Sequence, residues 1–132
     1  MPTVFCYEWE ETERGWGSRP DGLSLHATDE GARAYLKAYW DRQPDGPAPD
    51  EYDRTTSDAP RAVEARPEIA AWVQCRDRRL WSRQAGIEKG QLKMLDPELE
   101  GRAVVEGRAL LEAGEIEKAA GSAAFSGKRP IL

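Results

Sequence analysis

The stretch "TVFCYEWEETERGWGSRPDGLSLH", Thr3 to His26, decides the fold, because it holds the strands on which the rest must pack. Its first seven residues, Thr3 to Trp9, are rich in β-branched and aromatic side chains, which suits a pleated, half-buried surface and predicts a strand. On a pleat Val4 and Cys6 share one face with Glu8, while Thr3, Phe5, Tyr7 and Trp9 take the other. The acidic run Glu8 to Glu13 then leads into "RGWGSRPDG", Arg14 to Gly22, which reads as a loop. "LSLH", Leu23 to His26, is a second short strand. Asp21-Gly22 is a turn signal before it, but the flanking strands are too unequal for a tight hairpin.

Downstream, "ATDEGARAYLKAYWDRQP" is the clearest helix. Thr28 can cap it, and Asp29 and Glu30 sit where the helix dipole favours anions. Ala32, Tyr35, Leu36, Tyr39 and Trp40 form one apolar stripe, and Pro44 marks the end. "QPDGPAPDEYDRTTSDAP" is a connector with four prolines and no periodicity, expected to be an interaction loop or mobile. "RAVEA" reads as a strand. "RPEIAAWVQC" reads as a helix opened by Pro67, with Ile69, Trp72 and Val73 along one side. "RRLW", Arg78 to Trp81, is a further strand. Ser82 then offers a cap for another helix, with Gly90 as its stop. From Asp96, "DPELEGRAVVEGRALLEAGEIEKAA" opens with an Asp cap and Pro97. Its narrow seam of Leu99, Ala103, Val104, Gly107, Leu110 and Leu111 is thin for a lone helix and, with the small core, predicts packing on a partner chain in a homo-oligomer, with Gly114 as a stop. The expected organisation is one α+β domain, a small sheet of short strands packed with two to four helices. Residues 1–95 form a ligand-binding α+β domain, 96–120 a C-terminal helical segment and 121–132 a tail.

Composition narrows the function classes. The 132 residues suit one core, and five Trp, four Tyr and two Phe give it bulk despite 33% charged residues. A net charge of -5 argues against a long nucleic acid as partner, which needs a basic face. No apolar run approaches a membrane span, and the N-terminus turns acidic without a secretory h-region. The expected compartment is a reducing cytoplasm with Cys6 and Cys75 both free and buried. Basic residues are 14 Arg and five Lys. Arginine stacks on flat rings and grips phosphate with two bonds at once, although a GC-rich coding sequence would give the same excess.

A catalytic inventory is hard to assemble. His26 is the only histidine, which removes most metal sites and nucleophile–base pairs, and it reads as a structural residue at a strand end. "GWGSRPDG" has glycines but no following helix and no Lys-Ser/Thr for a phosphate loop. A nucleotide-like ligand instead needs a flat platform and bidentate donors. Two clusters offer both: Arg14, Trp16 and Arg19, and Arg76, Arg78, Arg79, Trp81 and Arg83. Alternation puts Arg79 and Trp81 on one face and Arg78 on the other. Taken alone, each tryptophan reads first as core packing.

"YEWEETERGWGSRPDGLSLHAT", a helix ending "AYWDRQPD", then "PDEYDR", "RRLW" and "IEKGQL" together resemble the Thoeris anti-defence sponge family. The resemblance spans roughly Val4 to Leu92; the last forty residues match nothing in it. It implies a small phage protein that binds cyclic ADP-ribose isomers made by a TIR-domain defence system and withholds them from the effector. It further implies an α+β fold, a homo-oligomer, a ligand held between protomers and, for some members, a separate cyclic oligonucleotide site. It adds Arg54, within "PDEYDR", to the candidates.

The sequence reading is therefore a non-enzymatic, cytoplasmic nucleotide-binding protein with no cofactor, no metal and no catalytic residue. Arg19, Arg54 and Arg79 are expected at phosphate, and Trp16 and Trp81 at stacked bases. The rival is an acidic protein-binding inhibitor of a host defence complex, with clustered carboxylates and no pocket. An enzyme acting on small nucleotides is a third reading.

Overall fold

The computed structural model describes residues 1–13, 15–42 and 52–114, with backbone alone for 52–55. Arg14, the connector residues 43–51 and the segment 115–132, including the expected tail, lie outside the described residues. The elements are β1 (Thr3–Glu13), β2 (Gly17–His26), α1 (Asp29–Asp41), β3 (Tyr52–Thr55), β4 (Arg61–Glu64), α2 (Pro67–Cys75), β5 (Arg78–Trp81), β6 (Ala85–Glu88), β7 (Gln91–Met94) and α3 (Pro97–Glu112). The described residues form an α+β domain around one mixed sheet. Its strand order is β5-β2-β1-β4-β7-β6, with β3 also paired to β1. Only the β4–β7 pairing is parallel.

β1 is the spine. Its first half pairs with β4 and its second half with β3, while β2 runs along its other side. The stretch expected as a loop is therefore mostly strand. β1 continues through Glu13 and β2 begins at Gly17, because each lends the other a full ladder of backbone partners. Within this hairpin Asp21 is an extra residue: Trp9 pairs with Gly22, but Glu10 pairs with Pro20. The Asp-Gly signal thus marks a bulge rather than a turn.

Two other expectations are corrected. Tyr52–Thr55, read as part of an aperiodic connector, is a strand against Glu10–Glu13. Ser82 to Gly90 is not a helix but the start of the β6–β7 hairpin, in which Glu88 pairs with Gln91. The intervening Lys89 and Gly90 have φ of 52° and 76°, the two consecutive positive values of a type I′ turn.

β5 and β6 stand at opposite ends of the strand order, yet only Ser82–Gln84 joins them. In a flat sheet their axes would lie about 24 Å apart, five spacings of about 4.8 Å. The link from Trp81 to Ala85 can reach only about 14 Å. The sheet must therefore curl.

The sheet has two dissimilar faces. On one, Val4, Cys6, Leu23, Leu25, Val63 and Leu80 pack with Ile69, Trp72 and Val73 of α2 and Ala103 of α3. On the other, Tyr7 and Trp9 pack with Ala32, Tyr35, Leu36 and Tyr39 of α1. The α3 seam finds its helix partner inside the chain: Ala103 and Gly107 are buried, and a Cβ on Gly107 would run into the Glu68 carbonyl of α2. Caps follow the sequence: Thr28 Oγ1 accepts from Gly31 N at 2.9 Å, and Asp96 Oδ1 accepts from Glu98 N at 3.0 Å. Cys6 is buried as expected, but Cys75, at the last turn of α2, is exposed.

Candidate functional site

The α1 face of β1, β2 and β5 carries the chemistry. Trp9, Gly22 and Trp81 lie in one cross-strand row, and Tyr7, Ser24 and Arg79 in the next. Gly22 has no side chain to fill its place in the first row, so Arg79 swings over it. A Cβ there would run into the Leu80 carbonyl oxygen and would also meet Arg79 Nη1 and the Trp81 Cα, each at 2.9 Å, and its φ of 134° already favours glycine. The guanidinium carbon consequently sits 5.2 Å from the Trp81 ring centroid and 5.6 Å from that of Trp9.

The bulge supplies the counter-ion. Asp21 Oδ2 accepts from Arg79 Nη2 at 2.6 Å, and Arg79 Nη1 donates to the carbonyls of Leu23 and Leu80, each at 3.1 Å. Arg79 is thus fixed in position and charge-balanced. Trp81 remains 41% exposed, so its ring is presented to solvent with a cation against it. Trp9 is buried, and its ring leads through Tyr39, at 4.8 Å, to Trp40, which is 43% exposed. Trp40, expected in the core stripe, is instead half in solvent.

From this row a polar chain runs through buried Ser24 and His26 to the exposed Asp77. Trp9 Nε1 donates to Ser24 Oγ at 2.9 Å; Ser24 Oγ is 2.9 Å from His26 Nε2; His26 Nδ1 is 3.0 Å from Asp77 Oδ1. Indole nitrogen can only donate, and an ionised carboxylate can only accept. With a neutral imidazole, every partner is satisfied when Ser24 donates to Nε2 and Nδ1–H donates to Asp77. The order Ser–His–Asp is that of a nucleophile relay. Ser24 and His26 are fully buried, however, and the indole already occupies Ser24 Oγ. As folded, the chain orients Trp9 and leaves no room for a substrate at Oγ. The Tyr7 hydroxyl beside it is buried with no hydrogen-bond partner among the described residues, and burial pushes its pKa up.

The remaining candidates lie along the β1–β2 arm. Trp16, one residue before β2, is 80% exposed, so it does not close the core. Arg19 pairs across the ladder with Glu11, bonding its carboxylate and reaching Glu13 Oε2 at 3.3 Å. The Arg54 backbone on β3 is the partner of Glu11 from the other side, so positions 19, 11 and 54 form one three-strand row. The Arg54 side chain lies outside the described residues. Arg79 and Trp81 are therefore brought together, Arg19 and Arg54 occupy one row on the two strands that flank β1, and Trp16 stands at the tip of the arm.

Arg78 faces the other way, as alternation predicts. Its Nε and Nη2 donate to the Trp72 carbonyl at 3.1 and 2.8 Å, and its guanidinium lies 4.2 Å over the Trp72 ring. It satisfies a carbonyl that the C-terminus of α2 would leave open, and burial lowers its pKa. Its role is structural. The sequence reading missed Trp9 and Asp21 as parts of the Arg79 site; the signal for Asp21 was its Asp-Gly pair, which serves bulges as well as turns.

No group of three or more His, Cys, Asp or Glu side chains among the described residues could hold a metal ion. No helix among them is long and apolar enough to cross a membrane. Comparison with family models, with curated proteins and with solved structures gives no match to this chain.

Proposed function

We propose that this chain is a non-enzymatic phage anti-defence protein that binds and sequesters a cyclic ADP-ribose-type nucleotide in the cytoplasm of a bacterial host, acting as a homo-oligomer. The observation that carries the reading is the half-exposed Trp81 ring backed by a fixed, charge-balanced Arg79. A flat base gains from such a platform by stacking, and the ordered guanidinium need not be immobilised again on binding. Arg19, the backbone position of Arg54 in the same cross-strand row, and the exposed Trp16 extend the surface along the arm. Because Arg79 and Arg19 already hold carboxylates, stacking contributes more than phosphate pairing, and a phosphate must compete with Asp21 or Glu11.

The test is calorimetric titration with cyclic ADP-ribose isomers, followed by heating the complex and mass spectrometry of the released ligand. Withholding a scarce signal needs a Kd near nanomolar, about -12 kcal/mol. The expected result is tight binding and recovery of the cyclic nucleotide unchanged. Absence of binding would favour the protein-binding rival, and linear ADP-ribose formed only with folded protein would establish an enzyme.

A further inference from the structure

A cleft of about 430 Å³ opens on the aliphatic side of the sheet, where β6 curls toward β2. Trp9 and Gly22, members of the Trp81 row, also line it. Leu23, Ala85 and Ile87 give it an apolar floor, and Ser82 lies at its edge. Glu8 and Glu10 contribute the charged wall. They are two apart on β1, so both project on this face. Glu8 has a loose partner in Arg61 at 3.4 Å. Glu10 has no cation against it among the described residues.

We propose that this cleft binds a small organic cation, an ammonium, amidinium or guanidinium group carried on an apolar body. The volume falls within the roughly 300–1,000 Å³ of small-molecule sites, and an apolar floor with a few polar groups is their usual lining. The carboxylates repel an anionic nucleotide. They also fail as a metal site, since hard divalent cations require about six oxygen ligands and the wall supplies two side chains. An amidinium or guanidinium instead matches a carboxylate with two parallel bonds. The site does not depend on the nucleotide reading and survives its failure.

The probe is benzamidine, with neutral benzamide and anionic benzoate as near-isosteres, titrated into the full chain while amide resonances are followed. Benzamidine is expected to give saturable shifts centred on Leu23, Ser82 and Ala85–Ile87. Benzamide should bind about tenfold or more weakly, and benzoate not at all. Glu10→Gln should remove most of the preference for benzamidine over benzamide, and Glu8→Gln a smaller part. Both positions are exposed, and retained spectral dispersion verifies the fold. The proposal is overturned if benzamidine gives no saturable shift at millimolar concentration, if its shifts map elsewhere, if benzamide binds equally well, or if both variants keep the full preference.

Discussion

The two faces of the sheet are built from the same strands and share almost nothing else. Along β1, Val4 and Cys6 enter an aliphatic core, while their neighbours Tyr7 and Trp9 enter an aromatic and polar one. The α2–α3 face is closed chiefly by aliphatic packing, with directional contacts at Arg78, Trp72 and Glu106, and α3 approaches closely enough to require glycine at position 107. The α1 face is closed by hydrogen bonds and ring contacts that fix orientation, from Asp77 through His26 and Ser24 to Trp9, and over Trp9 to Arg79 and Trp81. One face supplies stability and the other presents groups to solvent.

That contrast can be broken most strongly from the aliphatic side. Leu25→Ala should destabilise the fold by about 2–5 kcal/mol, because a fully buried side chain leaves a cavity among neighbours held by two helices. Chemical denaturation measures it; a loss under 1 kcal/mol would mean that this face is not the scaffold.

Ser24→Ala should cost less, about 1–3 kcal/mol, by leaving the Trp9 indole N–H and His26 Nε2 without their shared partner. Near-ultraviolet circular dichroism should report the loosened Trp9, which a purely volumetric loss would not move.

Cys6 sharpens the comparison through pH. Burial pushes its thiol from 9.0 up to about 12, so the folded state keeps a proton that the unfolded chain releases. Stability is unaffected by this group below about pH 9 and should fall as pH rises from 9 toward 12. In Cys6→Ala that part of the alkaline loss should disappear. Alkylation at neutral pH should modify Cys75 and spare Cys6 until the protein unfolds.

The smallest effect on stability is expected at Trp16. With 80% of its surface already in water, Trp16→Ala should change stability by no more than about 0.5 kcal/mol. If Trp16 stacks on the nucleotide, affinity should nevertheless fall about 5- to 150-fold, the equivalent of 1–3 kcal/mol.

The parts legible in the sequence were those with a strong period or an unambiguous cap. The alternation of Thr3–Trp9 assigns both faces correctly, the 3.6-residue stripe marks α1, and Asp96-Pro97 opens α3 where a cap followed by proline should. Short strands were harder to read. Tyr52–Thr55 and Ala85–Glu88 span four residues each, too few to show a period, and their strand state comes from the ladders of β1 and β7. Gly90 was ambiguous for a physical reason: a positive-φ glycine ends helices and turns hairpins alike. At the candidate site, the pairing of Arg79 with Trp81 was readable from alternation. Trp9 and Asp21 were not, because their approach depends on the β1–β2 register and its single bulge.

The most direct test of the division between a scaffold face and a presenting face is to titrate a cyclic ADP-ribose isomer into the wild-type chain and Trp81→Ala, with thermal melts alongside. The expected result is near-nanomolar binding by the wild type, binding about 5- to 150-fold weaker in the variant, and stabilities within about 1 kcal/mol of each other. Equal binding by both proteins, or a variant whose affinity falls only as its fold fails, would contradict the assignment of Trp81 to the binding surface.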